Sequence, residues 1–174
     1  MTFFLQSNDL RIIFATACHR GTLPNATVCP RLYGQPMPVT PLSYAHVRLT
    51  VTDIARSRAF YDDIFGLPVA FEVPADADET TRARLGFLYG GVIYHLGDSL
   101  LGLRPVGSDV FHEDRVGLDH VSFTVKSTAD LEAAAALLDE RGIAHGGVKN
   151  IGPGSILEFR DPDNIALELF APNS

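Results

Sequence analysis

The chain has 174 residues with 14 basic and 21 acidic side chains, so its formal net charge at pH 7 is −7. Apolar residues make up 46% and charged residues 20%, proportions that are usual for a packed domain and exclude disordered, collagen-like and coiled-coil chains. An acidic chain without a cluster of lysines and arginines repels phosphate backbones and anionic lipid heads. We therefore expect a small-molecule ligand rather than nucleic acid or a membrane.

The composition changes close to Met37. Asp9 is the only acidic residue before that position, whereas all other carboxylates follow it. We interpret residues 1–40 as a leader or extension and residues 41–174 as the domain. The prolines of residues 36–41 predict an extended linker, because each proline biases its predecessor away from the helical conformation. Met37 itself is an alternative first residue of the native protein.

The leader holds both cysteines of the chain, Cys18 and Cys29. Its apolar runs are too short and too interrupted for a membrane span or a secretory signal. We therefore expect a cytoplasmic protein, in which two cysteines remain free thiols.

Two similar segments begin at His46 and His120. His46–Val51 reads HVRLTV and His120–Val125 reads HVSFTV, so histidine, valine, threonine and valine recur at the same places. Both segments alternate polar with apolar residues and are rich in β-forming residues, which predicts two strands. Self-similarity of this kind indicates a duplicated structural unit.

A helix is predicted after each of these strands. Asp53 can cap a first helix that runs to about Phe65 and is stopped by Gly66. Ser127 or Thr128 can cap a second helix that ends before the glycine at position 142. The apolar side of this second helix consists of Leu131, Ala134, Ala135 and Leu138.

Short β-rich runs separated by turn residues follow each helix. The strands predicted in the first copy are Leu67 to Val73, Arg82 to Tyr89, Val92 to Leu96 and Ser99 to Arg104. Those predicted in the second copy are Ala144 to Lys149, Ser155 to Arg160 and Ile165 to Phe170, the last one preceded by a type I turn at Asp161–Asn164. One such unit exposes an apolar sheet face and must pair with another. We therefore predict an α+β fold of two paired βαβββ modules, about 44–106 and 117–172, that form a cup-shaped mixed sheet.

The duplication also predicts a metal site. A lone histidine on a strand is more often a packing residue than a ligand, but His46 and His120 occupy equivalent positions and face a common axis if the modules pair symmetrically. Glu168 lies between leucines on the last predicted strand, where a carboxylate needs a partner. Two imidazoles and one carboxylate suit Fe, Mn, Ni, Co or Zn and leave about three coordination positions open. We predict one such divalent ion between these three side chains.

Four segments carry a family resemblance when taken together. They are His46–Asp53 (HVRLTVTD), Ser57–Leu67 (SRAFYDDIFGL), Leu118–Phe123 (LDHVSF), and FRDPD at 159–163 with LEL at 167–169. From about Tyr44 to Pro172 the chain resembles the vicinal oxygen chelate superfamily, also called the glyoxalase/bleomycin resistance/dioxygenase superfamily. The resemblance implies paired βαβββ modules, with metal ligands at positions that correspond to His46, His120 and Glu168.

Two positions depart from the family pattern. Asn164 stands where members usually carry glycine, and asparagine tolerates the left-handed conformation. Gly102 stands where lactoylglutathione lyases carry a fourth ligand, which disfavours a four-ligand site unless His95 replaces it. Candidates for a catalytic group beside the open coordination positions are His95, Tyr94, Arg104 and His112.

The resemblance implies a metal-dependent enzyme whose small substrate chelates the ion through adjacent oxygens. The three-ligand pattern favours a dioxygenase-like site over a glyoxalase I-type lyase. Fosfomycin modification ranks lower, because few cationic groups beyond Arg48 and Arg104 are available for a phosphonate. A metal-free, bleomycin-resistance-like binding protein is the alternative from another class, although such members lack the metal triad. We expect a homodimer, and pairing of the modules within or between chains stays open.

Overall fold

Two four-stranded mixed sheets, each accompanied by helices, organise this computed structural model, which describes residues 39–173. Residues 41–173 belong to one compact unit, Pro41–Ser174. The predictions for Cys18, Cys29 and Met37 lie outside the described residues. No helix within residues 39–173 combines the length and the apolar character that crossing a membrane requires.

The elements follow one another as two βαβββ modules. Module 1 contains β1 (His46–Thr50), α1 (Ile54–Phe65), β2 (Val69–Phe71), α2 (Glu79–Arg84), β3 (Val92–Leu96) and β4 (Ser99–Arg104). Module 2 contains β5 (Val121–Thr124), α3 (Thr128–Glu140), β6 (His145–Asn150), β7 (Gly154–Arg160) and β8 (Ala166–Pro172). The predicted α+β class and the duplicated module are both confirmed.

The two sheets share one topology. Sheet 1 has the order β1-β4-β3-β2 and sheet 2 the order β5-β8-β7-β6. In each sheet the first strand is parallel to the last, and the other neighbours are antiparallel. The equivalent strands β1 and β5 therefore lie at an edge of their sheets, so that the start of each predicted repeat is an edge strand.

The helix boundaries follow from local capping. Asp53 accepts hydrogen bonds from the amides of Ala55 and Arg56, at 2.9 and 3.1 Å, and Gly66 ends α1 in the left-handed conformation with φ 56°. The hydroxyl of Ser127 accepts from the amide N–H of Asp130 at the start of α3. These contacts satisfy amides that have no partner within the helix, and they confirm both predicted helix starts.

The strand predicted from Arg82 to Tyr89 is wrong. This segment instead contains the end of α2 and a 3-10 turn at Gly86–Leu88. The carboxylate of Asp78 accepts from the Thr81 amide at 2.7 Å and caps α2, and burial of Leu88 holds the following turn against the core. The apolar residues of the segment thus belong to a helical turn. Periodicity in so short a run does not distinguish a helical turn from a strand.

The helix sides of both sheets share one core. Alternate residues of the strands point into it, including Leu101 of β4 and Leu167 of β8. Helix α1 joins the modules, because the ring of Phe65 lies 5.0 Å from that of Phe123 on β5. The opposite face of each sheet, which we call its outer face, carries the other alternate residues and lies outside this core.

The turn that precedes β8 has the predicted conformation. Asn164 has φ 66°, and its amide donates to the carbonyl of Asp161 at 3.0 Å. Its side chain also donates to the carbonyl of Phe111. The left-handed backbone expected at this departure from the family pattern is confirmed.

Replacement of Asn164 should separate backbone strain from the side-chain contact. We expect the free energy of unfolding of Asn164→Ala to lie about 1 kcal/mol below that of Asn164→Gly, because only glycine adopts this conformation without a Cβ penalty. Both variants lose the same bond to Phe111, so their difference isolates the backbone. Urea denaturation would measure it, and equal stabilities would contradict the argument.

Candidate functional site

Two of the three predicted ligands lie together on the outer face of sheet 2. His120 directly precedes β5, and Glu168 lies on β8, the neighbouring strand. The Nε2 atom of His120 is 3.9 Å from Oε1 of Glu168, and the glutamate side chain is only 17% exposed. Bonds of about 2.0–2.2 Å from a metal to nitrogen and oxygen allow two atoms at this separation to bind one ion.

The imidazole of His120 is oriented by a neighbouring carboxylate. Its Nδ1 atom shares a short hydrogen bond with Asp119. A metal-binding histidine typically donates its other ring N–H to a carboxylate, which fixes the tautomer and leaves the remaining nitrogen free to bind the ion. Asp119 can therefore orient the imidazole of His120 so that Nε2 is available to bind an ion.

Glu168 lacks a permanent cationic partner within residues 39–173. It lies directly opposite Glu158 in the register of β7 and β8, and like charges in opposite positions destabilise a sheet. Glu158 is bound by Lys149 at 3.0 Å, whereas the described contacts of Glu168 include only His120. A bound cation would compensate the charge of this mostly buried carboxylate, so the donor atoms and their charge fit a divalent ion.

A cavity of about 440 Å³ lies over this pair. Arg160 of β7 and Glu113, from the segment between the modules, line it together with His120 and Glu168. Arg160 donates from both terminal nitrogens to Glu113, at 3.0 and 2.5 Å. This paired hydrogen bonding lowers the pKa of Glu113 to about 2. The wall of the cavity thus carries a fixed ion pair that the sequence analysis did not identify, because no local pattern links positions 47 residues apart.

His46 is not brought to the other two predicted ligands. It lies on β1, at the edge of sheet 1, and pairs with Leu100 of β4. Within residues 39–173 no group of three or more histidine, cysteine, aspartate or glutamate side chains is placed to hold a metal ion. One chain thus supplies the His120–Glu168 pair, and His46 lies apart from it.

The candidate catalytic residues divide between the two faces of sheet 1. His95 on β3 and Arg104 at the end of β4 lie on the outer face, as does His46. Tyr94 points into the core, where it is fully buried and its hydroxyl donates to Asp62 at 2.8 Å. Burial raises the pKa of Tyr94. His112 lies in the segment between the modules and lines a separate pocket.

Gly102 leaves room for an arginine on the outer face of sheet 1. A Cβ atom at this position would lie 3.0 Å from Cγ and 3.5 Å from Nε of Arg48, and 3.4 Å from Cγ1 of Ile93. The side chain of Arg48 therefore lies across the place where lactoylglutathione lyases carry a fourth ligand. A cation covers this position, which further disfavours a four-ligand metal site.

Comparison with known families gives the same assignment as the duplicated fold. Residues 43–169 match the model of the Glyoxalase/Bleomycin resistance protein/Dioxygenase superfamily. The chain belongs to this superfamily. The match covers both βαβββ modules, including β1, β5 and most of β8, so all three predicted ligand positions lie within the superfamily domain.

Similar proteins come from several bacteria. The chain is 29% identical over 128 residues to uncharacterized protein YaeR of Escherichia coli (strain K12), with 72% of this chain and 92% of the relative covered. A superfamily domain from Frankia sp. EAN1pec is 30% identical with a TM-score of 0.62, over 78% of this chain and 95% of the other. A point mutant of fosfomycin resistance protein FosX from Listeria monocytogenes, solved with Mn(II) and 1S,2S-dihydroxypropylphosphonic acid, is 17% identical with a TM-score of 0.58, over 78% of this chain and 95% of the other. These likenesses support the fold.

Proposed function

We propose that this protein is a divalent-metal-dependent enzyme of the superfamily, acting on a small substrate that chelates the ion through adjacent oxygens. The observation that carries the proposal is the His120–Glu168 pair, whose facing atoms lie 3.9 Å apart on an open sheet face. Asp119 holds the imidazole in the orientation that coordination requires. Fe, Mn, Ni, Co and Zn all accept this nitrogen and oxygen donor set.

The third ligand in this proposal is His46 of a second copy of the chain. β1 and β5 are edge strands of their respective sheets, and an unpaired edge is available for another chain. If β1 of one protomer lies beside β5 of its partner, His46 approaches His120 and Glu168. A homodimer formed in this way contains two equivalent sites, as a closed two-fold assembly requires.

The bound ion would act as a Lewis acid that stabilises negative charge developing on the substrate oxygens. The chain's own groups then bind and orient the substrate around it. His95 lies on the same outer face as His46 and can move a proton, whereas Tyr94 is committed to its bond with Asp62. Because Gly102 provides no side chain, a dioxygenase-like three-ligand site is favoured over a glyoxalase I-type lyase. A cytoplasmic location stays a prediction, made because the apolar runs before Met37 are too short for a membrane span or a secretory signal.

Metal retention by matched variants tests this proposal. We expect Glu168→Gln to weaken Mn²⁺ binding at least tenfold, since replacing even an outer partner of a ligand costs about 10–100-fold. Glu158→Gln is the control, because Glu158 lies opposite on the same face but is bound by Lys149. The measurement is elemental mass spectrometry of full-length protein purified anaerobically without chelators, with Mn²⁺ titration of the same samples.

The opposite result would favour another class of function. If the wild-type protein carries no metal, even after reconstitution, a metal-free ligand-binding protein of the bleomycin-resistance type becomes the better assignment. Equal losses in Glu168→Gln and Glu158→Gln would indicate a general charge effect and contradict a ligand role for Glu168.

A further inference from the structure

Two arginines meet one aromatic ring on the outer face of sheet 1. Arg48 lies on β1 and Arg104 on β4, where Arg104 pairs with Thr50. Their guanidinium carbons lie 5.9 and 4.3 Å from the ring centroid of Tyr89. Both distances are within the range of a cation–π contact, so the two positive charges share one side of the sheet.

Five of the seven other arginines within residues 39–173 form ion pairs with carboxylates, whereas Arg48 and Arg104 do not. Arginines that form ion pairs with carboxylates are Arg56, Arg58, Arg115, Arg141 and Arg160. Neither Arg48 nor Arg104 forms such a pair within residues 39–173, although the whole chain has a net charge of −7. Two guanidinium groups that contact one ring and have no carboxylate partner leave two positive charges uncompensated, and a bound anion would compensate them.

Hydrogen-bonding capacity remains on both side chains. Arg48 donates to the carbonyls of Phe87 and Leu88, at 3.1 and 3.4 Å, while its buried Nε has no partner among the described residues. The guanidinium group of Arg104 lies over the face of the Tyr89 ring. A guanidinium carries five N–H donors, so several remain to bind the oxygens of an acid group.

The backbone fixes Tyr89 beside the arginines. Tyr89 has φ 55°, a conformation that is uncommon for a bulky residue. Gly91, two residues later, packs so closely on β4 that a Cβ atom would lie 1.9 Å from the carbonyl oxygen of Leu103. Strained residues of this kind cluster where a side chain must be held in one place, and here that side chain is the ring on which both guanidinium groups lie.

We propose that Arg48 and Arg104, held beside the ring of Tyr89, form an oxyanion subsite for the acid group of a small substrate. A carboxylate or a phosphate group presents the paired oxygens that a guanidinium recognises. The connection of this subsite to metal chemistry rests on the proposed function, which places a divalent cation at His46 on the same face. An acid group bound at this subsite would then lie between the cation and the two arginines.

Anion binding by metal-free protein tests the subsite on its own. Full-length protein is freed of metal with a chelator, desalted and titrated at low ionic strength with inorganic phosphate and, separately, with malonate. We expect saturable binding of at least one anion, and the stronger of the two identifies the class of acid group. Arg104→Gln should weaken it at least tenfold, because a hydrogen bond to a charged group contributes about 1.5–3 kcal/mol.

Arg82→Gln is the matched control. Arg82 also bonds to backbone carbonyls, those of Ala75 and Ala77, and its replacement removes the same unit of charge. Arg48→Gln provides a second test, but its lost bonds to the 87–88 backbone require a check of folding by circular dichroism. Absence of saturable binding in the wild type, or equal weakening by Arg104→Gln and Arg82→Gln, would overturn the proposal.

The metal proposal and the anion proposal can each be refuted without the other. Glu168→Gln should lose metal yet bind the anion as the metal-free wild type does, while Arg104→Gln should lose anion affinity yet retain metal. If the metal-free wild type binds anions but no variant affects metal content, the subsite stands and the proposed metal site does not. If Glu168→Gln loses metal but the metal-free wild type binds no anion, only the subsite is refuted.

Discussion

Co-expression of His46→Ala and His120→Ala should restore metal binding that each variant lacks alone. In an exchanged homodimer, each site takes His46 from one protomer and His120 with Glu168 from the other. A mixed dimer of the two variants therefore contains one site without either histidine and one intact site. About half of the dimers are mixed at random assembly, so the metal content should recover to about one quarter of the wild-type value.

The matched control is co-expression of His120→Ala with Glu168→Ala. These two ligands come from the same protomer, and each site of a mixed dimer then lacks one of them. No recovery is expected. Elemental mass spectrometry measures both pairs, in the unfractionated protein and in doubly tagged, purified mixed dimers, where one intact site of two should give about half of the wild-type metal content. Absence of recovery in the first pair, with mixed dimers isolated and wild-type protein loaded with metal, would contradict a site shared between protomers.

Asp163→Ala should lower the stability of the protein at the junction of the two modules. Asp163 is only 5% exposed and accepts from the amide and hydroxyl of Thr52, at 2.9 and 2.5 Å, and from Arg56 at 2.5 Å. Alanine removes the shared acceptor of these bonds, and the exposed donors of Thr52 and Arg56 then bind water instead. We expect the free energy of unfolding to fall by about 2 kcal/mol, which lowers the melting temperature by roughly 6 °C.

Arg56→Gln separates the buried acceptor from the ion pair. The Arg56 side chain is 49% exposed, and the interaction of an exposed charge is screened by solvent, so its loss should cost about 1 kcal/mol or less. Both bonds from Thr52 to Asp163 remain in this variant. Calorimetry and urea denaturation measure the two changes. A loss in Asp163→Ala no greater than that in Arg56→Gln would show that the Thr52 bonds contribute little.

The two outer faces contribute different groups to the proposed dimeric site. Sheet 2 contributes the carboxylate of Glu168 and the imidazole of His120, whereas sheet 1 contributes Arg48 and Arg104. A cation and an acidic substrate would find complementary groups on opposing surfaces. Complementary potentials of this kind fix orientation and register between partners, and here they favour an acidic substrate.

Local signals determined most of the fold. The repeated strand beginning at His46 and His120 identified the duplicated module, and Asp53 and Ser127 identified the helix starts, because a cap depends on residues within one turn. The left-handed turn at Asn164 was predictable for the same reason. The segment from Arg82 to Tyr89 was not, because a short apolar run fits a strand or a helical turn until its packing partners are present.

The candidate site likewise depends partly on the local sequence and partly on tertiary contacts. Sequence by itself determined the residue types of the proposed metal-binding set. It also determined the alternation that puts His46 and Glu168 on the outer faces of their strands, since strand geometry has a period of two. Only the tertiary structure decided that Glu168 meets His120 while His46 lies apart, that Tyr94 is committed to Asp62, and that Arg48 covers Gly102. Each of these depends on contacts between residues distant in the chain, which no local pattern specifies.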